Sequence, residues 1–203
     1  MRAKALVIVG MLALAACGGP AIAMRDASSS ELSAPGEGRA RIVLAAPDAF
    51  RDVISVVDER GQYVGQLGGR TWTTLEVEPG EHEYYALVGA NAYVVGGTVE
   101  AGRTYWVVAE TPFARSLRWI AWSPGCGPEA SERVSGARAV EVDPAADRAA
   151  IERRLGNVPQ RILEADQDLA RMSEAYRAER VLQPACEAGG AETAGGEAAA
   201  PAE

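Results

Sequence analysis

Between Arg41 and Trp122 the apolar positions come in short bursts, and each burst stops at a cluster of turn formers. RIVLA (41–45), DVISVVD (52–58), YVGQLG (63–68), TWTTLEV (71–77), HEYYALVG (82–89), AYVVGGTVE (92–100), TYWVVAE (104–110) and LRWIAW (117–122) are separated by Gly, Pro, Asp or Asn. Runs of this length, rich in Val, Tyr, Trp and Thr, predict strands, in which successive side chains face opposite ways. Leu75 and Val77 thus oppose Trp72 and Thr74. Seven or eight such strands predict an antiparallel β-sandwich. VEPGEH and VEAGRT, 22 residues apart, each place a glycine after a small turn. Glycine there reaches positive φ without a Cβ clash, so both segments read as one hairpin device used twice.

After Val142 the period lengthens. Ile151, Leu155, Val158, Ile162, Ala165, Leu169, Met172 and Tyr176 recur at intervals of four and three, which places them on one helix face. Asp143-Pro144 offers an N-cap followed by proline at the first helical position. Gly156 and Pro159 interrupt the stripe, so two helices are expected, at 144–155 and 159–182, ending before Pro184. The expected fold class is mainly β with C-terminal helices: a sandwich of seven or eight strands followed by a two-helix arm.

Two stretches carry no period. Gly18 to Gly38 is small, polar and turn-forming, and residues 17–38 read as a flexible tether of roughly 25 Å root-mean-square reach. Residues 187–203 hold four glutamates and no basic residue, the composition of a disordered acidic tail. The expected organisation is a leader at 1–16, the tether at 17–38, the sandwich domain at 39–125, a connecting segment at 126–142, a helical arm packed on or near the sandwich at 143–186, and the tail.

The leader itself has Arg2 and Lys4 ahead of an apolar run from Ala5 to Ala16, the order of an export signal. A helix of that length spans only about 18 Å against roughly 30 Å of hydrocarbon, too short for a stable span. The run ends in Leu14-Ala15-Ala16-Cys17, which resembles the lipobox of bacterial lipoproteins. The resemblance implies that the Cys17 thiol receives a diacylglyceryl group and that cleavage between Ala16 and Cys17 makes the cysteine the first residue. The two or three acyl chains of such an anchor hold a protein on a membrane where one chain binds only marginally, at roughly 0.8 kcal/mol per buried CH₂. Gly18 stands where an aspartate is the usual inner-membrane retention signal of these proteins. The expected location is therefore the cell envelope, at the outer membrane facing the periplasm.

Charge narrows the partners. Removal of Arg2 and Lys4 with the leader takes the net charge from −8 to −10, and an acidic surface argues against nucleic acid, whose phosphates require basic partners. With Cys17 lipidated, Cys126 and Cys186 remain as one candidate disulfide pair. A bridge closing about 60 residues would stabilise the fold by about 4 kcal/mol and pin the end of the arm to the sandwich; two unpaired thiols are the alternative. The chain has no CxxC and one histidine, so no Cys/His zinc site, metal or cofactor is expected.

Pro79-Gly80-Glu81-His82 leads into the strand EYYALV, and Ala101-Gly102-Arg103 into TYWVVAE. On these residues, over roughly 40–110, the chain resembles a group of uncharacterised bacterial lipoproteins with PEGA-like β domains. The matching positions are Pro79, Gly80, His82, Gly102, Thr104 and Tyr105. The resemblance implies a small β-sandwich on a lipid anchor and brings no catalytic residue or cofactor with it. His82 lies between Glu81 and Glu83, whose side chains fall on the opposite strand face, so a structural turn role is expected. No G-x-S-x-G, HExxH, EF-hand, phosphate or dinucleotide loop occurs, and no catalytic residue is assigned. Aromatics in such strands are expected in the core; Trp72, Tyr85 and Trp106 are the candidates for stacking on a sugar ring. The expected function is a non-enzymatic envelope lipoprotein serving as a binding or scaffold module for an envelope protein or polysaccharide. The alternative is a carbohydrate- or peptidoglycan-binding module that uses exposed aromatics.

Overall fold

A computed structural model describes residues 23–48, 52–113, 116–122 and 134–183. Ala16, Cys17, Cys126, Cys186 and the acidic tail, with the expectations attached to them, lie outside the described residues. The strands are β1 Met24–Asp26, β2 Ala40–Ala46, β3 Ile54–Asp58, β4 Tyr63–Leu67, β5 Thr71–Val77, β6 Gly80–Val88, β7 Asn91–Val99, β8 Thr104–Phe113, β9 Ser116–Trp122 and β10 Arg138–Val142. The helices are α1 Arg148–Leu155, α2 Val158–Arg171 and α3 Glu174–Ala178.

The strands make a six-stranded sheet, ordered β1-β10-β5-β2-β8-β9, and a four-stranded sheet, ordered β4-β3-β6-β7. The chain is a mainly β sandwich with C-terminal helices, and all eight strands read from the sequence are present. The larger sheet is mixed rather than antiparallel, because β2 runs parallel to β8 and β10 parallel to β5. Parallel neighbours need a crossover, and here the smaller sheet supplies it.

That crossing also corrects the role of the two glycine turns. VEPGEH carries the chain from β5 to β6 and VEAGRT from β7 to β8, so each joins one sheet to the other and neither closes a hairpin. Gly102 has φ +75°, and its N–H donates to Arg39 O at 2.7 Å. The Tyr105 hydroxyl accepts from the Glu100 N–H at 2.9 Å. The hairpins are β3–β4, β6–β7 and β8–β9.

Strand β1 lies within the stretch expected to be a tether. It pairs with β10, itself inside the expected connecting segment, and Ala23 is buried with its carbonyl accepting from the Asp143 N–H at 2.7 Å. Residues 23–26 therefore belong to the folded unit, ahead of the expected start at 39. Three residues reading MRD carry no alternation, and backbone pairing is what makes them a strand.

Three apolar layers are buried. Ile42, Leu44, Tyr84, Tyr105 and Trp119 fill the space between the sheets. Tyr85, Leu87 and Val94 cover the other face of the smaller sheet beneath Ile151, Leu155, Val158 and Ala165 of the helices. Val43, Trp72, Trp106 and Ile120 occupy the other face of the larger sheet, together with Val134 and Ala139. Burial on both faces is why IVLAA and YWVVA read as near-continuous apolar runs.

The helix starts differ from expectation. Asp143 accepts from the Ala145 N–H at 2.9 Å in a turn, while Asp147 caps α1 through the Ala150 N–H at 3.2 Å. The second expected helix breaks after Arg171, and Ser173 caps α3 through the Tyr176 N–H at 3.3 Å. Residues 179–182 then form a strap across the sandwich edge. Gly96 N–H donates to Arg180 O at 2.9 Å, Leu182 N–H to Gly96 O at 2.8 Å, and Ala121 N–H to Glu179 O at 2.8 Å. The strap thus joins the edge strands β7 and β9 of the two sheets, and Leu182 enters the inter-sheet core. Glycine permits this approach: at Gly97, φ +149°, a Cβ would stand 3.2 Å from the Leu182 nitrogen.

Candidate functional site

The break after Arg171 turns Tyr176 and Arg180 back toward β7. Between β7, α2 and this returning segment lies a cavity of about 150 Å³. Its apolar wall comes from Ala92 and Val94 of β7 and from Leu169 and Met172. The small side chains of Ala92 and Ala165 leave the space open where strand and helix face each other. Glu164 and Asp168, one helical turn apart on α2, line the same cavity, as do Tyr176 and Arg180.

Arg180 is 3 % exposed. Its guanidinium carbon stands 4.4 Å from the centre of the Tyr176 ring, and the group donates to the Tyr176 hydroxyl. Among the described residues no carboxylate forms an ion pair with Arg180, and its Nε–H has no acceptor. The adjacent Glu179 is engaged by Arg118 at 2.6 Å. Burial pulls the Arg180 pKa below its ordinary value, with Tyr176 and Glu179 opposing. A buried cation whose nearest carboxylate, Glu179, is bonded elsewhere carries a desolvation penalty that this more distant attraction only partly offsets.

Arg161 shares the buried Nε–H without an acceptor and the downward pull of burial on its pKa, but the rest of its guanidinium is taken up by backbone carbonyls. Its guanidinium donates to Leu155 O at 3.1 Å, Gly89 O at 2.9 Å and Asn91 O at 2.6 Å. It clasps the β6–β7 turn to the end of α1, and its role is structural. Tyr85 performs a similar task on the other side of α2. Its hydroxyl lies 2.6 Å from Glu83 and 2.9 Å from Asp166, and burial together with these two carboxylates raises its pKa. At the cavity margin, Glu164 accepts from Gln160 at 2.7 Å, and Asp168 lies 3.6 Å from Arg171 with both side chains exposed.

The aromatic candidates are placed elsewhere. Trp72, Tyr85 and Trp106 are 5 %, 1 % and 3 % exposed, so none offers a face to a sugar. Trp106 meets Trp122 edge to face at 5.7 Å, and Tyr85 lies beneath the helices. Burial on both sheet faces is the reason. His82 Nε2 is 2.8 Å from Glu78 O and its ring lies parallel to Tyr84 at 6.2 Å, a position that ties the crossover turn to β6.

The cavity was not foreseen from the sequence, which holds no motif for it. Its one trace is that Met172, Tyr176 and Arg180 continue the apolar helical stripe at intervals of four, with a cation in the last place. Among the described residues no helix is long and apolar enough to cross a membrane. Compared with known protein families and with curated proteins, the chain matches no family model and no curated protein.

Proposed function

We propose that this protein is a non-enzymatic, lipid-anchored binding module of the cell envelope, and that its ligand occupies the α2–β7 cavity with an anionic group on Arg180. The observation that carries the binding reading is the buried guanidinium without a carboxylate partner. An incoming anion would form charge-assisted, bidentate hydrogen bonds there and offset the desolvation penalty already present.

The anchor reading rests on Leu14-Ala15-Ala16-Cys17. The likeness to PEGA-like lipoproteins agrees with it, since the matching residues Gly80, Gly102 and Tyr105 sit at the sheet-to-sheet crossovers of a small sandwich. A lipid on Cys17 would hold the folded unit close to the headgroups, because the six residues to Ala23 extend at most roughly 20 Å. The bridge between Cys126 and Cys186 is part of the same proposal. It is supported by the hydrogen bond from Ala121 to Glu179 at 2.8 Å, which brings the chain together just upstream of both cysteines.

Labelling with a palmitate analogue tests the anchor: label is expected on the wild type and lost in Cys17→Ala, and label that survives the substitution overturns it. Saturation-transfer NMR on the mature protein in detergent tests the site. A small carboxylate is expected to receive saturation from the wild type and not from Arg180→Met, and equal transfer from both proteins removes Arg180 as the seat of the ligand.

A further inference from the structure

We infer that the ligand of the α2–β7 cavity is a small zwitterion of the α-amino-acid type with a short apolar side chain, an assignment that rests on the binding reading above. Charge decides it first. Inside the cavity stands one buried cation, Arg180; at its margin stand two carboxylates, Glu164 and Asp168. Asp168 is partly met by Arg171 at 3.6 Å; Glu164 accepts from the neutral amide of Gln160 and feels the charge of Arg161, whose own hydrogen bonds go to backbone carbonyls. A simple anion reaching Arg180 would pass the acidic margin, and a simple cation held by the margin would face the guanidinium. A carboxylate and an ammonium on one carbon would satisfy both, because the cation and the two carboxylates line the same cavity and each charge would meet its opposite.

Size and lining decide the remainder. A cavity of about 150 Å³ is the scale that accommodates a benzene-sized group, and a side chain of three or four carbons fits that space. Ala92, Val94 and Leu169 give it an apolar wall. Met172, 37 % exposed at the cavity mouth, is unbranched and polarizable and can adjust to side chains of different shape.

The test is a panel measured on the mature protein in detergent by saturation-transfer NMR and calorimetry: L-leucine, leucinamide without the carboxylate, N-acetyl-leucine without the ammonium, and butyrate. Leucine is expected to bind about tenfold or more tighter than either blocked form, the scale of one lost charge-assisted contact. Arg180→Met is expected to abolish leucine binding. Glu164→Gln with Asp168→Asn changes exposed positions alone, and it is expected to erase the preference of leucine over N-acetyl-leucine while near-UV circular dichroism stays unchanged. If Arg180→Met does not fold, this double variant carries the test by itself. Butyrate and N-acetyl-leucine binding as tightly as leucine would leave the anion site standing and overturn the zwitterion. Leucinamide binding as tightly as leucine, or no member of the panel binding, would overturn both.

Discussion

Tyr84 and Tyr85 are neighbours in β6 with opposite surroundings. Tyr84 points between the sheets, where its hydroxyl is buried without a hydrogen-bond partner; Tyr85 points under α2 with two carboxylates on its hydroxyl. Removal of an unpartnered buried hydroxyl recovers its desolvation cost, whereas removal of the Tyr85 hydroxyl gives up charge-assisted hydrogen bonding to two carboxylates. Tyr84→Phe is therefore expected to raise stability by about 1 kcal/mol and Tyr85→Phe to lower it by about 1–2 kcal/mol, read from urea midpoints. Equal signs would contradict the assignment. That the two rings face opposite ways was legible in the strand pattern, but the sign of each substitution was not, because it depends on partners far away in sequence. Glu76 makes a pH-dependent contribution of the same kind. Partial burial pushes its carboxyl up, and the Gly36 N–H, the Arg41 guanidinium and the charge of Arg39 outweigh that and hold it below the usual 4.5. A folded-state pKa lowered in this way stabilises above the unfolded value and the contribution is lost as pH falls through the folded one. Glu76→Gln is expected to unfold with a shallower pH dependence below about pH 5 than the wild type, checked by thermal melts from pH 7 to pH 3.

At the scale of elements, the eight strands between Arg41 and Trp122 were readable because each is bounded by its own turn formers. Their partners were not. A glycine turn such as Ala101-Gly102-Arg103 states that the chain reverses, and the sheet that takes the next strand is set by which face must be buried. The strands β1 and β10 were missed for a related reason, since MRD and RAVEV become strands through pairing with each other and with β5. The strap after α3 is the element on which the sandwich edge depends. Leu182 fills the inter-sheet core while its backbone bonds to Gly96. Leu182→Ala is expected to destabilise by about 2–4 kcal/mol, the usual cost of a buried leucine cavity. Hydrogen exchange should show protection of the Gly96 amide falling with it, and an unchanged Gly96 amide would mean that the strap is held by something other than this side chain.

For the whole molecule, fold class followed from two periods, two in the strands and 3.6 in the helices, which local sequence carries. The cavity did not, because the burial of Arg180 beside it is created only when α3, β7 and the strap meet. The junction near both edges also bears on the cysteines. With Ala121 bonded to Glu179, mass spectrometry of the unreduced mature protein is expected to find Cys126 and Cys186 in one disulfide, and two alkylatable thiols would contradict it. The same junction sets how the protein yields under mechanical load. With Cys126 and Cys186 reduced, tension entering after Gln183 acts first on Leu182 and the few backbone bonds of 179–182, which are strained one after another as in a zipper. The sandwich would part along that line while the remaining ladders are still intact, so that such a load draws Arg180 away from β7 before it unfolds either sheet.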